Sequence, residues 1–122
     1  MPRPDETVVA KNTNSAFIGT GLDERLSGIG ATTLVICGVL THNSLEATVR
    51  HAGNLGYRVF VPADACWAVE VRDRTGRLWP AEDVHQLSLA VMDGEYATVT
   101  EAAALLDGVA MVRQRAGRPW RR

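Results

Sequence analysis

One stretch decides the fold class of this chain: TTLVICGVLTHNSLEATVR, residues 32–50. Residues 32–37 form a continuous apolar, β-branched run, which is typical of a strand covered by helices on both faces. Apolar residues then recur three or four positions apart, which predicts a helix with one buried stripe; they are Leu45, Val49, Ala52 and Leu55. A strand thus turns into a helix near Ser44, where the first helical amides can hold negative charge.

Strand and helix patterns alternate along the rest of the chain. Strands are predicted at residues 7–10, 32–37, 58–62 and 96–99, with a hairpin at 69–78. Helices are predicted at residues 21–27, after Ser44, from Pro80 to about residue 92, and after a capping Thr100. Because such alternation usually gives parallel strands with helical crossovers, we predict an α/β fold. We expect a three-layer α/β/α arrangement with a mostly parallel sheet.

Composition predicts one soluble globular domain, since 46% of the 122 residues are hydrophobic and 22% are charged. No apolar run approaches the length of a membrane span, so we expect a cytoplasmic location and no membrane partner. The net charge of −1 favours no nucleic acid, and the Arg-rich tail, residues 109–122, is expected to be solvated. Cys37 and Cys66 lack disulfide or metal-site spacing and are expected to be buried. We predict no metal and no cofactor.

Three segments together carry a family resemblance. They are KNTNSAFIGT at residues 11–20, ICGVLTHNSLEATVR at 36–50 and GYRVFVPADAC at 56–66. In order and spacing, this set resembles the isochorismatase-like hydrolases, or cysteine hydrolases, which include nicotinamidases and carbamoyl-amide hydrolases. The resemblance implies an isochorismatase-like, Rossmann-like domain over residues 1–108. It matches only the later part of a typical family domain, so the family's first strands, with the catalytic aspartate, are expected to be missing.

The resemblance also implies roles for individual residues. Lys11, the only lysine in the chain, corresponds to the catalytic lysine, and Ser44 stands where the hydrolases have their nucleophilic cysteine. A cis peptide bond is implied between Val39 and Leu40, and the amides of Leu40 and Ser44 are expected to form an oxyanion hole. The predicted oxyanion or substrate-binding residues are Val39, Leu40, Thr41, His42, Asn43 and Phe17.

Structural roles compete with these functional ones. An alcohol needs a well-placed general base, which the family's aspartate would supply. For Ser44 we favour a helix cap formed by Asn43 or Ser44, with Glu46 placed as in a capping box. Lys11 is alternatively a surface lysine. His42 either lines the pocket, as a ligand donor or a substitute base, or is a partly exposed loop residue.

Two functions follow from these alternatives. The first is a retained small-molecule or oxyanion pocket with a degenerate catalytic triad, which is not a conventional cysteine hydrolase on its own. The second is an active hydrolase, or related enzyme, on a small amide or carbonyl substrate, which uses Ser44, Lys11 and His42 and is completed where necessary by a partner chain. A native start upstream of Met1 is a third explanation for the missing aspartate.

Residues 34–37 bear on the predicted partners. They form a strand of buried type that is left at a sheet edge, and such an edge invites pairing with another chain. We therefore predict a homodimer or larger oligomer, or a heteromeric partner that completes the sheet.

Overall fold

The computed structural model describes residues 1–116, and the side chains of residues 1–109. Its helices are α1 (Leu22–Gly28), α2 (Glu46–Asn54), α3 (Ala81–Met92) and α4 (Ala102–Ala116). Its strands are β1 (Thr33–Val35), β2 (Gly38–Val39), β3 (Arg58–Pro62), β4 (Cys66–Trp67), β5 (Val71–Arg72), β6 (Leu78–Trp79) and β7 (Thr98–Thr100). A turn of π-helical type, Thr41–Leu45, leads from β2 into α2.

The central sheet is parallel, as the alternating pattern predicts. Its strand order is β1-β3-β7, and β3 pairs in parallel with both neighbours. β2 and β4 form a second, short parallel pair, while β5 and β6 form the predicted antiparallel hairpin. α2 packs against β3, and α3 packs against α2 and β7. The predicted α/β class with a mostly parallel sheet is confirmed, and the fold is of the three-layer α/β/α type.

The core lies between β3, α2 and α3. Val59 and Val61 alternate with more exposed residues along β3 and are 2% and 0% exposed. They pack with Val49 and Ala52 of the predicted α2 stripe and with Met92 at the end of α3. Each buried valine or methionine side chain contributes roughly 1.5–3 kcal/mol. This packing holds the start of α2, and therefore the turn before it, in a fixed place against the sheet.

The predictions for the first half of the chain need two corrections. Residues 7–10 form no strand and are mostly exposed, because no described strand lies beside them to pair with their backbone. The predicted strand at residues 32–37 is shorter, and its expected burial on both faces is wrong, since Val35 is 56% exposed. Among the described residues β1 pairs with β3 alone and is therefore an edge strand. Cys37, just beyond β1, is exposed for the same reason.

The start of α4 differs from the prediction. The amide of Ala102 donates to Asp64 Oδ1 at 2.7 Å, so a carboxylate that follows β3 takes the place predicted for Thr100. α4 continues past residue 108, where the predicted domain ends, as far as Ala116. The last residues of the Arg-rich tail, 117–122, lie outside the described residues. Within the described residues, no helix is long and apolar enough to cross a membrane.

Candidate functional site

The candidate site is built around the turn that joins β2 to α2. The peptide bond between Val39 and Leu40 is cis. The carbonyl of Leu40 accepts hydrogen bonds from the amides of Asn43 at 3.0 Å and Leu45 at 3.3 Å. Asn43 has non-helical angles, φ −130° and ψ −105°, so the chain changes direction there before α2 begins. The turn brings Ser44 to the start of the helix.

Thr41 anchors this turn in the protein interior. Its side chain is fully buried, and its Oγ1 lies 2.8 Å from Nδ1 of the buried His85 on α3. Ser88 Oγ, further along α3, lies 3.2 Å from the Thr41 carbonyl oxygen and 2.7 Å from Glu46 Oε1. Buried polar groups are normally paired in this way. The Thr41 side chain therefore faces His85 in the interior, and the role of Thr41 in substrate binding stays a prediction.

Lys11 and Ser44 come together at Asn14. Lys11 Nζ donates to the carbonyl oxygens of Thr13 at 2.9 Å and Asn14 at 3.2 Å. Ser44 Oγ donates to Asn14 Oδ1 at 3.4 Å. The two residues predicted as catalytic thus contact one residue, although they are far apart in the sequence. Sequence reasoning missed Asn14, which lies in the matched segment 11–20 but carries no group with catalytic chemistry of its own.

Two residues of α2 hold the loop of residues 11–17. Thr48 Oγ1, which is buried, accepts a hydrogen bond from the Ala16 amide at 3.0 Å. Ser15 Oγ lies 2.8 Å from His51 Nδ1. The loop and the start of α2 are therefore fixed to one frame. Thr48 and His51 were not predicted as site residues. They lie about one and two helical turns after Ser44, and this spacing could have placed them on the same face of the helix.

His42 lies at a different cavity. With Trp79, Leu87 and Val91 it lines a groove of about 410 Å³ between α2, α3 and the β5–β6 hairpin, which we call the α3 groove. The residues that line this groove include neither Lys11 nor Ser44. Among the described residues, the buried Nδ1 of His42 has no hydrogen-bond partner. The structure gives no support to His42 as a substitute base for Ser44.

The helix-cap interpretation of Ser44 is wrong. The amino end of α2 has no side-chain cap hydrogen bond, and Ser44 Oγ points to Asn14 instead. In a capping box the Glu46 side chain would accept a hydrogen bond from the backbone amide of Asn43. Instead, Glu46 accepts from Ser88 Oγ and pairs with Arg50 at 3.5 Å, Nε to Oε2. The Ser44 hydroxyl is therefore directed to the loop that carries Lys11 and not to the helix end.

Comparison with known proteins identifies the family. The sequence profile of the isochorismatase domain matches residues 1–104. The chain belongs to the isochorismatase family. An isochorismatase family protein of Bacillus subtilis is 36% identical over 106 residues, which are 87% of this chain and 57% of the relative. Nicotinamidase 3 of Arabidopsis thaliana is 47% identical over 62 residues, 51% of this chain and 31% of that protein.

A solved structure of the isochorismatase family agrees with this assignment. The crystal structure of a family protein from Chromobacterium violaceum has a TM-score of 0.88 and 51% identity, and the match covers 90% of this chain and 57% of that one. The chain therefore spans little more than half the length of this protein and of the Bacillus relative.

The other predicted contact residues of this isochorismatase-family chain differ in exposure. Val39 is 46% exposed, and Asn43 is exposed on the turn. Phe17 is packed instead, with its ring centroid 5.1 Å from that of His51 and 6.0 Å from that of Tyr57. Phe17 rests on the core and so holds the loop of residues 11–17 against α2. This packing role differs from the predicted substrate contact.

The remaining groups with possible chemistry are the cysteines and the metal-ligating side chains. Cys66 is buried, as predicted, and its Sγ donates to the Pro62 carbonyl at 3.3 Å. Burial raises the pKa of the Cys66 thiol, which makes it a poor nucleophile. In the part of the chain that the structure describes, no group of three or more His, Cys, Asp or Glu side chains is placed to hold a metal ion.

Proposed function

We propose that this isochorismatase-family chain binds a small molecule through a carbonyl or carboxylate oxygen at Lys11, Asn14 and Ser44. We also propose that its catalytic triad is degenerate and that it does not act alone as a conventional cysteine hydrolase. The proposal rests on the position of both side chains at Asn14. Lys11 Nζ lies 3.2 Å from the backbone oxygen of Asn14, and Ser44 Oγ lies 3.4 Å from its side-chain oxygen. An ammonium and a hydroxyl that meet at one residue suit a polarised or negatively charged oxygen.

The hydrogen bonds of Lys11 support a binding role. An ammonium has three N–H donors, and the carbonyls of Thr13 and Asn14 accept two of them. Among the described residues these are its two acceptors, so the third donor can serve a ligand oxygen. Because two backbone carbonyls already fix the position of Nζ, little further ordering of the side chain is needed when a ligand binds.

The surroundings of Ser44 favour binding over nucleophilic attack. A serine hydroxyl attacks when a general base removes its proton, whereas a cysteine thiol can be activated by a lowered pKa. The partner of Ser44 Oγ is the side-chain oxygen of Asn14. An amide oxygen accepts a hydrogen bond but does not take up the proton at neutral pH. Serine at the position of the family's cysteine is therefore consistent with a site that binds without a nucleophilic step.

Hydrolysis of a small amide is the alternative function. A relative is named as a nicotinamidase, and Ser44 occupies the position of the nucleophile. This alternative requires a base that reaches Ser44, and His42 lines the α3 groove instead. The base would have to come from a partner chain or from a segment outside this sequence.

Isothermal titration calorimetry of the purified chain with nicotinate and nicotinamide tests the binding proposal. Lys11→Ala is expected to weaken nicotinate binding at least about tenfold, because a hydrogen bond to a charged group contributes about 1.5–3 kcal/mol. Lys11→Arg keeps the charge and should lose less. Arg25→Ala removes an exposed cation on α1 and serves as the control, with no expected change. Equal affinities of the wild type and Lys11→Ala would contradict the proposal.

Ammonia release from nicotinamide separates the two functions. We expect no turnover by the wild type or by Ser44→Ala. Turnover by the wild type that Ser44→Ala abolishes would establish the hydrolase instead. Ser44→Cys is the informative third variant, because activity gained by this change alone would show that the missing thiol is the main defect.

The partner and the location are also proposals. We propose that β1 pairs with a strand of another chain, since it has one strand neighbour in the described part of the chain and Val35 is 56% exposed. In analytical ultracentrifugation Val35→Lys should shift the chain towards the monomer, and Val8→Lys, at a residue 70% exposed outside any strand, should not. A monomeric wild type would contradict this pairing. Both cysteines are free, which supports the cytoplasm as the location.

A further inference from the structure

A second cavity lies where β3 ends and α3 and α4 begin, and we call it the α4 pocket. Its volume of about 460 Å³ lies within the usual range for small-molecule sites. The charged, amide and aromatic side chains that line it are those of Asp64, Trp67, Glu82, His85, Gln86 and Glu101. Neither Lys11 nor Ser44 lines this pocket, so it is separate from the site proposed above.

A buried histidine presents one nitrogen to the α4 pocket. His85 is 8% exposed, lines the pocket, and uses its Nδ1 for the 2.8 Å contact with Thr41 Oγ1. Its Nε2 has no hydrogen-bond partner among the described residues. Among these residues, the one side-chain nitrogen or oxygen that is both inaccessible and unpartnered is His42 Nδ1. His85 Nε2 is therefore accessible, and the side on which His85 is open is the α4 pocket.

The Thr41 hydroxyl determines which nitrogen of His85 carries the proton. A neutral imidazole donates through one ring nitrogen and accepts through the other. Thr41 is fully buried, and within the described residues its hydroxyl contacts no acceptor other than His85 Nδ1. Because an unpaired buried hydroxyl is unfavourable, Thr41 donates to Nδ1 and the proton resides on Nε2. His85 thus offers an N–H donor to a ligand oxygen in the pocket.

The charges of the α4 pocket favour a cation. Of the described residues that line it, three carry a carboxylate, Asp64, Glu82 and Glu101, and none is Lys or Arg. None of these carboxylates forms an ion pair in the described part of the chain. The amino ends of α3 and α4 also lie at the pocket, and each offsets roughly half a negative charge. A surplus of about two negative charges remains, which attracts a cationic ligand.

The arginines of the β5–β6 hairpin do not supply the missing positive charge. They are Arg72, Arg74 and Arg77, and none of them lines the α4 pocket. The Arg77 guanidinium lies 3.9 Å from the centre of the Trp79 ring, and Trp79 Nε1 donates to Asp73 Oδ2 at 2.9 Å. Hydrogen bonds from Thr75 and then Trp79 lower the pKa of Asp73 to about 2. The carboxylate of Asp73 is therefore charged at neutral pH and offsets positive charge within the hairpin itself.

An exposed indole forms the aromatic part of the α4 pocket. Trp67 of β4 is 61% exposed and lines the pocket. The face of an indole attracts a cation, and methylated ammonium groups are recognised by such faces. A methylated ammonium carries its charge without N–H donors, so it can rest on the ring beside the carboxylates without an acceptor at a fixed position.

We propose that the α4 pocket binds a small methylated ammonium compound that carries a hydroxyl group. The ammonium rests on the Trp67 ring among the three carboxylates, and the hydroxyl oxygen accepts a hydrogen bond from His85 Nε2. Choline is the simplest probe with both groups.

Titration of the ¹⁵N-labelled chain with choline, followed by NMR, tests this site. We expect choline to shift the indole resonance of Trp67 and the amides of Glu82 and His85. The neutral analogue 3,3-dimethylbutan-1-ol has the shape of choline without its charge and should bind at least about tenfold more weakly. Propyltrimethylammonium replaces the hydroxyl by a methyl group and should bind roughly two- to tenfold more weakly, as the loss of one neutral hydrogen bond predicts.

A matched pair of double variants separates the pocket from a general effect of charge. Glu82→Gln/Glu101→Gln removes two carboxylates from the pocket and should weaken choline binding at least about tenfold. Glu70→Gln/Glu95→Gln removes two exposed carboxylates that do not line the pocket and should leave it unchanged. All four residues are exposed, and the ¹⁵N spectra report whether each variant keeps the fold.

Several outcomes would overturn the proposal. Choline that causes no shifts, or that binds no more tightly than its neutral analogue, would remove the cation site. Equal losses in the two double variants would assign the binding to net charge and not to the pocket. Loss of choline binding in Lys11→Ala would assign the probe to the other site. Equal affinities for choline and propyltrimethylammonium would exclude the hydrogen bond from His85.

Discussion

Replacing Thr41 by valine tests whether the buried hydrogen bond to His85 holds the turn of the site. Valine has nearly the same shape as threonine, so the change removes the hydroxyl with little change in packing. Thr41 is 0% exposed, His85 is 8% exposed, and Oγ1 lies 2.8 Å from Nδ1. Water cannot easily replace the lost partner, and an unpaired buried polar group costs about 1–3 kcal/mol. We expect Thr41→Val to lower the free energy of unfolding by that amount.

Urea denaturation followed by far-ultraviolet circular dichroism measures this change, with an unchanged m value as the sign that the unfolding reaction is the same. Thr41→Ser is the matched control, because it keeps the hydroxyl and loses only a methyl group. The double variant Thr41→Val/His85→Leu removes both partners, so its loss should be smaller than the sum of the single losses by about 0.5–3 kcal/mol. A loss below about 0.5 kcal/mol in Thr41→Val, or strictly additive losses, would show that this hydrogen bond does not stabilise the turn.

Three further predictions concern other parts of the chain. In urea denaturation Gly53→Ala should destabilise the protein, because a new Cβ would lie 3.1 Å from the backbone oxygen of Tyr96. The new Cβ of Gly108→Ala in α4 would meet no atom within 4 Å, so this change should stabilise the protein by roughly 0.5–1 kcal/mol. The pKa of Asp73 is lowered to about 2, so its contribution to stability is present above the unfolded pKa of about 3.9 and is lost as the pH falls towards 2. Acid titration of the hairpin's indole fluorescence measures this loss, and the Asp73→Asn variant should lack it. Iodoacetamide should alkylate the exposed Cys37 quickly and the buried second cysteine slowly, and equal rates measured by mass spectrometry would contradict the structure.

Local patterns predicted the elements that local physics controls. The strand Arg58–Pro62, the helix Ala81–Met92 after Pro80 and the β5–β6 hairpin appear where the sequence places them. In each case, the periodicity of apolar residues and the turn or cap chemistry agree with the packing that the element finally makes. The burial of residues 32–37 was predicted wrongly, since the same apolar run fits a central strand and an exposed edge strand.

The site was predicted in part, because motifs name residues but not the directions of side chains. The order of the three segments pointed to Lys11 and Ser44, and the structure brings both to Asn14. No role for Asn14 could be predicted, since its contribution depends on where its two oxygens lie. His42 illustrates the same limit, because a change of direction at Asn43 places it at the α3 groove.

The α/β class, the family and the two candidate residues could be predicted from the amino-acid sequence, because apolar periodicity and motif spacing are properties of the chain alone. The folded structure was needed to find that Asn14 joins Lys11 to Ser44, that the Thr41 side chain faces the interior, and that β1 lies at an edge of the described sheet. These facts depend on contacts between residues far apart in the chain. Such contacts are fixed by how α2 and α3 pack on the sheet and cannot be read from any one segment.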